Sequence, residues 1–360
     1  WRFAMPNRRT AFDVSTAQLQ HIELFGLLGG FDALSERLCD MNRPLLLSHL
    51  YLLVRPIAKA ADALSPHYLV RWTRKTMPSI YARMQAMSDA QVKECDNTKL
   101  TGLLYNLKLL LRHTHLNADF QYEWWQLDFA HKRFKSPYIT LRIQGLSELC
   151  EQINKSEQHV LNPSRNAPPV ARRPGDPEPA ATLHSHLLPC EAIAKWLVER
   201  NVLDDLYGGN LHIEIVKRAH QIPRFLGLQG CLTNDDCDRL FDAWRGKHES
   251  FRTPVYEAVA EIVNCAQVEQ VQHIWKRLRA TPLAEFDELL LQSVAKFSLH
   301  AIVNMLERHT DAFDADQGPP LFGLEWLWQL VQDDSPLVAE AERRAAGATA
   351  AAAAAAAAAA

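Results

Sequence analysis

Between Glu191 and His248 this chain of 360 residues places apolar side chains at helical spacing three times in quick succession. Ile193, Trp196 and Leu197 share one face, and Leu203, Leu206 and Tyr207 extend it until Gly208-Gly209 breaks the run. Asn210 is suited to cap the next helix, because its side chain accepts a backbone N–H. Ile215, Val216, Ala219, Ile222, Phe225 and Leu226 then recur at helical period, and Gly227 and Gly230 bracket the end. Thr233 and Asp236 have the spacing of a capping box. Behind them Cys237, Leu240, Phe241 and Trp244 form one stripe. Three short amphipathic helices in a row cannot each bury a stripe alone. They must lie on one another and on their neighbours, which is the physical basis of helical solenoids.

The same period runs through the rest of the chain. Helical patterns begin at Thr16 (Leu19, Ile22, Phe25), after the Gly29-Gly30 turn (Phe31, Leu34, Leu38), and at Pro44 for a helix over 45–63. Pro66 and Pro78 punctuate the next stretch. Leu100, Leu103, Leu104, Leu107 and Leu111 make a stripe over 97–115. Tyr122, Trp125 and Phe129 make another, and Ile139, Ile143, Leu146, Leu149 and Ile153 a third. Beyond the central stretch, Val255 to Val263, Val268 to Leu278 and Phe286 to Leu306 continue the pattern. Leu324, Leu327, Trp328 and Val331 come after a loop over 311–320, and Pro336 opens a last helix. Strand-like alternation is absent at any length. The expected fold is all-α, an irregular α-α superhelix of armadillo or HEAT type without a sheet and with repeats of about 40–47 residues.

Domain organisation is read from composition. Residues 1–15 form a lead-in without a pattern, and 16–155 a first helical array. Residues 156–182 are dense in proline and keep no period, so they read as a flexible or extended loop. Residues 183–345 form a second array, and 346–360 an alanine-rich tail. That tail is either natural low-complexity sequence or a stand-in for unidentified side chains, and no function is read from it. The start at Trp1 suggests a fragment, so a missing targeting signal carries no weight.

With 48% hydrophobic residues the chain can fill a long core, and a formal net charge of -3 without a clustered basic surface argues against a nucleic-acid partner. No apolar run reaches the roughly 20 residues that a membrane crossing needs. Seven cysteines at irregular spacing fit a reducing compartment.

The central stretch also resembles a known family. Trp-Leu-Val-Glu at 196–199, Tyr-Gly-Gly-Asn-Leu-His-Ile-Glu-Ile-Val-Lys at 207–217, Arg224-Phe225-Leu226, Gly230-Cys231-Leu232-Thr233 and Lys247-His248 are similar to the non-catalytic, N-terminal helical region of very large ubiquitin-specific proteases of the fat facets type. Residues 25–31, 138–154 and 328–334 echo other helices of those proteins. Pro223 departs from a straight second helix. The resemblance implies a parent enzyme that removes ubiquitin with a cysteine nucleophile and a histidine base. Its Gly-Asn-Thr-Cys and Gly-His-Tyr contexts do not occur here. Cys39, Cys95, Cys150, Cys190, Cys231, Cys237 and Cys265 follow Leu38, Glu94, Leu149, Pro189, Gly230, Asp236 and Asn264 instead. The expectation is that catalysis lies outside this chain and that these cysteines are structural.

Other chemistry is weaker still. Cys231 and Cys237 with His220, His113 with His115, and His184 with His186 lack structural-zinc spacing, so no metal is expected. The two Gly-Gly pairs follow no strand and lack a P-loop lysine; they read as helix-ending turns, and no cofactor is expected. Trp196, Trp244, Trp275 and Trp328 fall on stripes and read as core. Lys132, Arg133 and Lys135, Lys217-Arg218 and Lys276-Arg277 read as solvated faces. Trp124 and Trp125 cannot both face one interior, so this pair is the candidate protein-interaction site. The expected function is a scaffold, cytoplasmic or also nuclear, that holds substrate or adaptor proteins for a separate protease domain. A stand-alone armadillo-like adaptor unrelated to ubiquitin is the alternative.

Overall fold

The computed structural model describes residues 16–95, 97–161, 187–209, 211–312, 320–332, 334–340, 342–343 and 346. Among them no strand occurs, and every long element is a helix. The chain divides into two compact units, Trp1–Gln152 with Gln158–Leu188, and Ile153–Glu157 with Pro189–Ala360. The expected lead-in, most of the proline-rich loop and nearly all of the alanine tail lie outside the described residues.

The first unit holds α1 (Thr16–Leu27), α2 (Gly30–Cys39), α3 (Leu47–Lys59), α4 (Pro66–Ala86), α5 (Asp89–Lys93), α6 (Asn97–Thr114), α7 (Asn117–Phe120), α8 (Tyr122–Phe134) and most of α9 (Ile139–Leu161). The longer helices pack on partners further along the chain: α2 on α4, α3 on α6, α4 on α8. Their apolar stripes merge into one core that includes Leu50, Val54, Met77, Ile80, Leu103, Leu107 and Phe129. Where α9 crosses α8 the backbones nearly touch. A Cβ on Gly145 would lie 2.5 Å from Ala130 O and from Phe134 N, so only glycine fits.

Three expectations shift here. Pro44 lies three residues before Leu47, the first residue of its helix, instead of opening it. Pro78 lies inside the continuous helix α4, not at a break. Helix α9 runs to Leu161, so the first six residues assigned to the loop are helical.

The second unit begins with α10 (Cys190–Glu199) and α11 (Val202–Tyr207), separated at Asn201, which has φ 52°. Next come α12 (Ile213–Ala219), α13 (Gln221–Leu228), α14 (Asn234–Trp244), α15 (Glu249–Val263), α16 (Val268–Arg279), α17 (Glu288–Arg308) and α18 (Leu324–Leu330). The expected second helix of the central stretch is therefore two helices. Pro223 has no N–H to give and would strike the carbonyl four residues back, so the chain restarts at Gln221 and the proline falls in a first turn. Asn210 lies outside the described residues. The cap of α12 is His212, whose Nδ1 accepts from Glu214 N at 3.2 Å. Thr233 and Asp236 do form a reciprocal capping box.

In this unit α11, α14 and α16 form one row and α13, α15 and α17 another. Four side-chain contacts within the first row share a separation of 35 residues. Asn234 meets Glu269, His273 Nε2 lies 2.9 Å from an Asp238 oxygen, and Arg277 donates to Asp242 at 3.1 Å, all at that offset. Arg239 reaches Asp204 in the same way at 2.8 Å. In the second row Asn304 donates to Val263 O and Ala266 O at 2.8 and 2.9 Å, and Arg308 to Cys265 O at 3.1 Å. The late residues of α17 thus satisfy the open carbonyls at the end of α15. The first unit uses the same device: Arg83 of α4 donates to Leu38 O, Asp40 O and Arg43 O behind α2. Lys132 of α8 donates to Gln85 O and Met87 O behind α4.

Two tryptophan assignments need correction or limits. Trp328 is 68% exposed, and Trp326 fills the core instead, with Phe286 at 5.1 Å and Trp275 at 6.1 Å. The stripe of Leu324, Trp328 and Val331 is the outer face of α18, because Trp326 and Trp328 stand about 200° apart on the helix. Trp196 is buried, Trp275 is half-buried, and the side chain of Trp244 lies outside the described residues. Contrary to the sequence reading, one helix, α17, has the length and composition of a membrane span. It packs against α15, α16 and α18, and 44% of its most apolar window is buried, as in a core helix.

Candidate functional site

Trp124 and Trp125 sit in the first turn of α8, at the junction with α4 and α7. Consecutive residues point about 100° apart. The Trp125 ring stacks on Tyr81 at 4.1 Å and 9°, and on Phe129 at 5.5 Å and 6°. Tyr122 tilts against it at 5.9 Å and donates its hydroxyl to Leu104 O at 2.8 Å. Burial, then the nearby Glu123 carboxylate, raises the Tyr81 phenol far above its usual value. The Trp125 Nε1 and Tyr81 Oη atoms are buried without a hydrogen-bond partner. Trp125 is therefore part of an aromatic stack within the first unit, while Trp124 is half-buried and joins none of the described aromatic pairs.

Beside this stack, two cations read as solvated are not. Arg133 is only 1% exposed, pairs with Glu148 of α9 and lies 5.0 Å from the Phe129 ring. Lys132 caps the carbonyls behind α4. The charge of each is matched by groups that sequence separation hides, a carboxylate 15 residues on and carbonyls more than 40 residues back. Lys217 and Arg218 do lie on an exposed face, where both pair with Glu214 and hold its carboxyl below the usual range, Arg218 most of all.

The cysteines are all free and at least half-buried. Burial pushes the Cys150, Cys237 and Cys265 thiols up to about 12. Cys265 Sγ lies 3.2 Å from both Arg224 O and Ile262 O, in a nest of carbonyls that disfavours a thiolate. His113 pairs with Asp62 at 2.8 Å, and no cluster of three or more metal-ligating side chains occurs among the described residues. His184 and His186 lie outside them. Gly29 has φ 80° at the start of α2 and Gly208 closes α11, so both Gly-Gly pairs serve as helix-end turns.

Comparison with known proteins agrees with this architecture. The UBP24/USP9X/USP9Y ARM repeat matches residues 121–289. Human ubiquitin carboxyl-terminal hydrolase 34 is 33% identical over 162 residues, 45% of this chain and 4% of that protein. Drosophila melanogaster ubiquitin carboxyl-terminal hydrolase puf is 22% identical over 266 residues, 74% of this chain and 6% of that protein. Human ubiquitin carboxyl-terminal hydrolase 9Y is 21% identical over 321 residues, 87% of this chain and 12% of that protein. The chain thus spans only a small part of each relative. Residues 121–289, just under half of the chain, thus match the UBP24/USP9X/USP9Y ARM repeat, and the paired helices found there are those of an armadillo-repeat region.

Proposed function

We propose that this chain is a non-catalytic scaffold segment of a cysteine-type deubiquitinase, holding substrate or adaptor proteins for a protease domain elsewhere in the polypeptide. The match to the armadillo-repeat part of large ubiquitin carboxyl-terminal hydrolases carries this reading. The thiols agree with it. A nucleophilic cysteine needs a lowered pKa and a base in reach, and burial moves Cys150, Cys237 and Cys265 the other way. Seven free cysteines fit a cytoplasmic setting. The half-buried Trp124 is the candidate contact residue on α8. The purified chain, incubated with a ubiquitin–fluorophore conjugate, should release no fluorophore. Turnover that disappears on substitution of one cysteine would overturn the scaffold reading.

A further inference from the structure

Helices α3 and α6 enclose an open groove of about 180 Å³, away from the α8 stack. Its shape comes from Gly102. A Cβ there would fall 2.7 Å from the Tyr51 ring, so the missing side chain lets that ring lie across α6. Arg55, one turn along α3, holds its guanidinium 5.5 Å from the centre of the same ring. Tyr105 forms the opposite wall and is 53% exposed. Asn106 lines the groove although only 5% of it is exposed.

The Asn106 amide makes no hydrogen bond to the described residues, yet neither of its polar atoms is among those sealed from solvent without a partner, so it is open to the groove. The amide offers an N–H donor and a carbonyl acceptor side by side, the complement of a peptide unit. Arg55 has no carboxylate partner among the described residues, and no carboxylate lines the groove. Two tyrosine faces flank the opening and supply apolar contact with little rotamer entropy to lose.

We propose that this groove binds an extended acidic segment of a partner protein. Asn106 pairs with its backbone, Arg55 with one carboxylate, and Tyr51 and Tyr105 clasp an apolar side chain between them. Single-stranded nucleic acid would also stack on tyrosine, but two cations, Arg55 and Lys59, beside a peptide-like amide suit a short acidic peptide better than a run of phosphates. This inference rests on the scaffold reading and gives it a site.

The test is panning of a random-peptide phage library against the full chain, followed by anisotropy titration of the enriched peptide. The expected result is enrichment of acidic sequences, with affinity falling at least tenfold in both Asn106→Leu and Arg55→Glu. Asn106→Leu should melt within a degree or so of the parent, since it removes no hydrogen bond to the described residues. A melting temperature below that range would make Asn106 a structural residue and overturn the proposal. Enrichment of non-acidic sequences, tighter binding of a labelled oligothymidylate, or no enriched peptide would also overturn it. Peptide binding that survives both substitutions would overturn the groove while leaving a scaffold that binds through another face.

Discussion

Replacing Arg83 with methionine strips donors from three carbonyls behind α2 while keeping most of the side chain's bulk. The expected loss is about 1.5–3 kcal/mol, the range for hydrogen bonds to a charged group. Arg74→Met, which removes an exposed pair with Asp119, should cost less than about 1 kcal/mol. Urea unfolding of both variants compares the two directly. The cysteines give a second residue-scale expectation. Burial raises the folded-state pKa of Cys150, Cys237 and Cys265 to about 12, above the usual thiol value. The unfolded chain therefore gives up these protons first. The associated stability is intact below about pH 8 and declines as the pH rises beyond the unfolded value toward 12. Iodoacetamide at pH 8 should modify these three thiols at least about a hundredfold more slowly in the folded chain than in urea, as read by peptide mass mapping. At this scale the sequence misleads most at Arg133. A basic run reads as a wet surface, and neither Glu148 nor the Phe129 ring announces that it will receive the charge. The core role of Trp125 was, by contrast, legible in its stripe with Tyr122 and Phe129, the two rings it meets in the structure.

At the scale of elements, the stripes read from the sequence recur as helices in both units, because 3.6-residue periodicity is a local property. What the period could not fix is phase where two solutions compete. On α18 the stripe through Trp328 and the one through Trp326 are both apolar, and packing against Trp275 and Phe286 selects the second. The split between α12 and α13 was legible in Pro223, although the break falls at His220, before the proline itself. Gly145 carried a signal of the opposite kind. In an isolated helix, Gly145→Ala would be worth about 1 kcal/mol. Here the added methyl meets the α8 backbone, so a net loss of about 1–3 kcal/mol is expected, seen as a lower melting temperature. The 35-residue ladder between α14 and α16 sets register more than stability. A double-mutant cycle on Asp242 and Arg277, an ion pair open to solvent, should return a coupling below about 1 kcal/mol.

Over the whole molecule, charge is divided between the two halves. Up to residue 188 the chain carries 23 Lys and Arg against 17 Asp and Glu, and beyond it 16 against 25. The net charge of -3 conceals this asymmetry, so a near-neutral total did not exclude a locally basic face such as the α3–α6 groove. The groove was not legible in advance, because it depends on Gly102 lying under Tyr51 across 51 residues of sequence. The central physical claim is that each helix is sealed by its neighbours in the stack. Stability should then be graded by position within each unit, as in other quasi-linear arrays. Hydrogen exchange followed by mass spectrometry tests this most directly. Helices flanked on both sides, α4 and α6 in the first unit and α15 in the second, should exchange slowest, with α1 and α18 fastest. Uniform protection along either unit, or slowest exchange in α1 or α18, would contradict it.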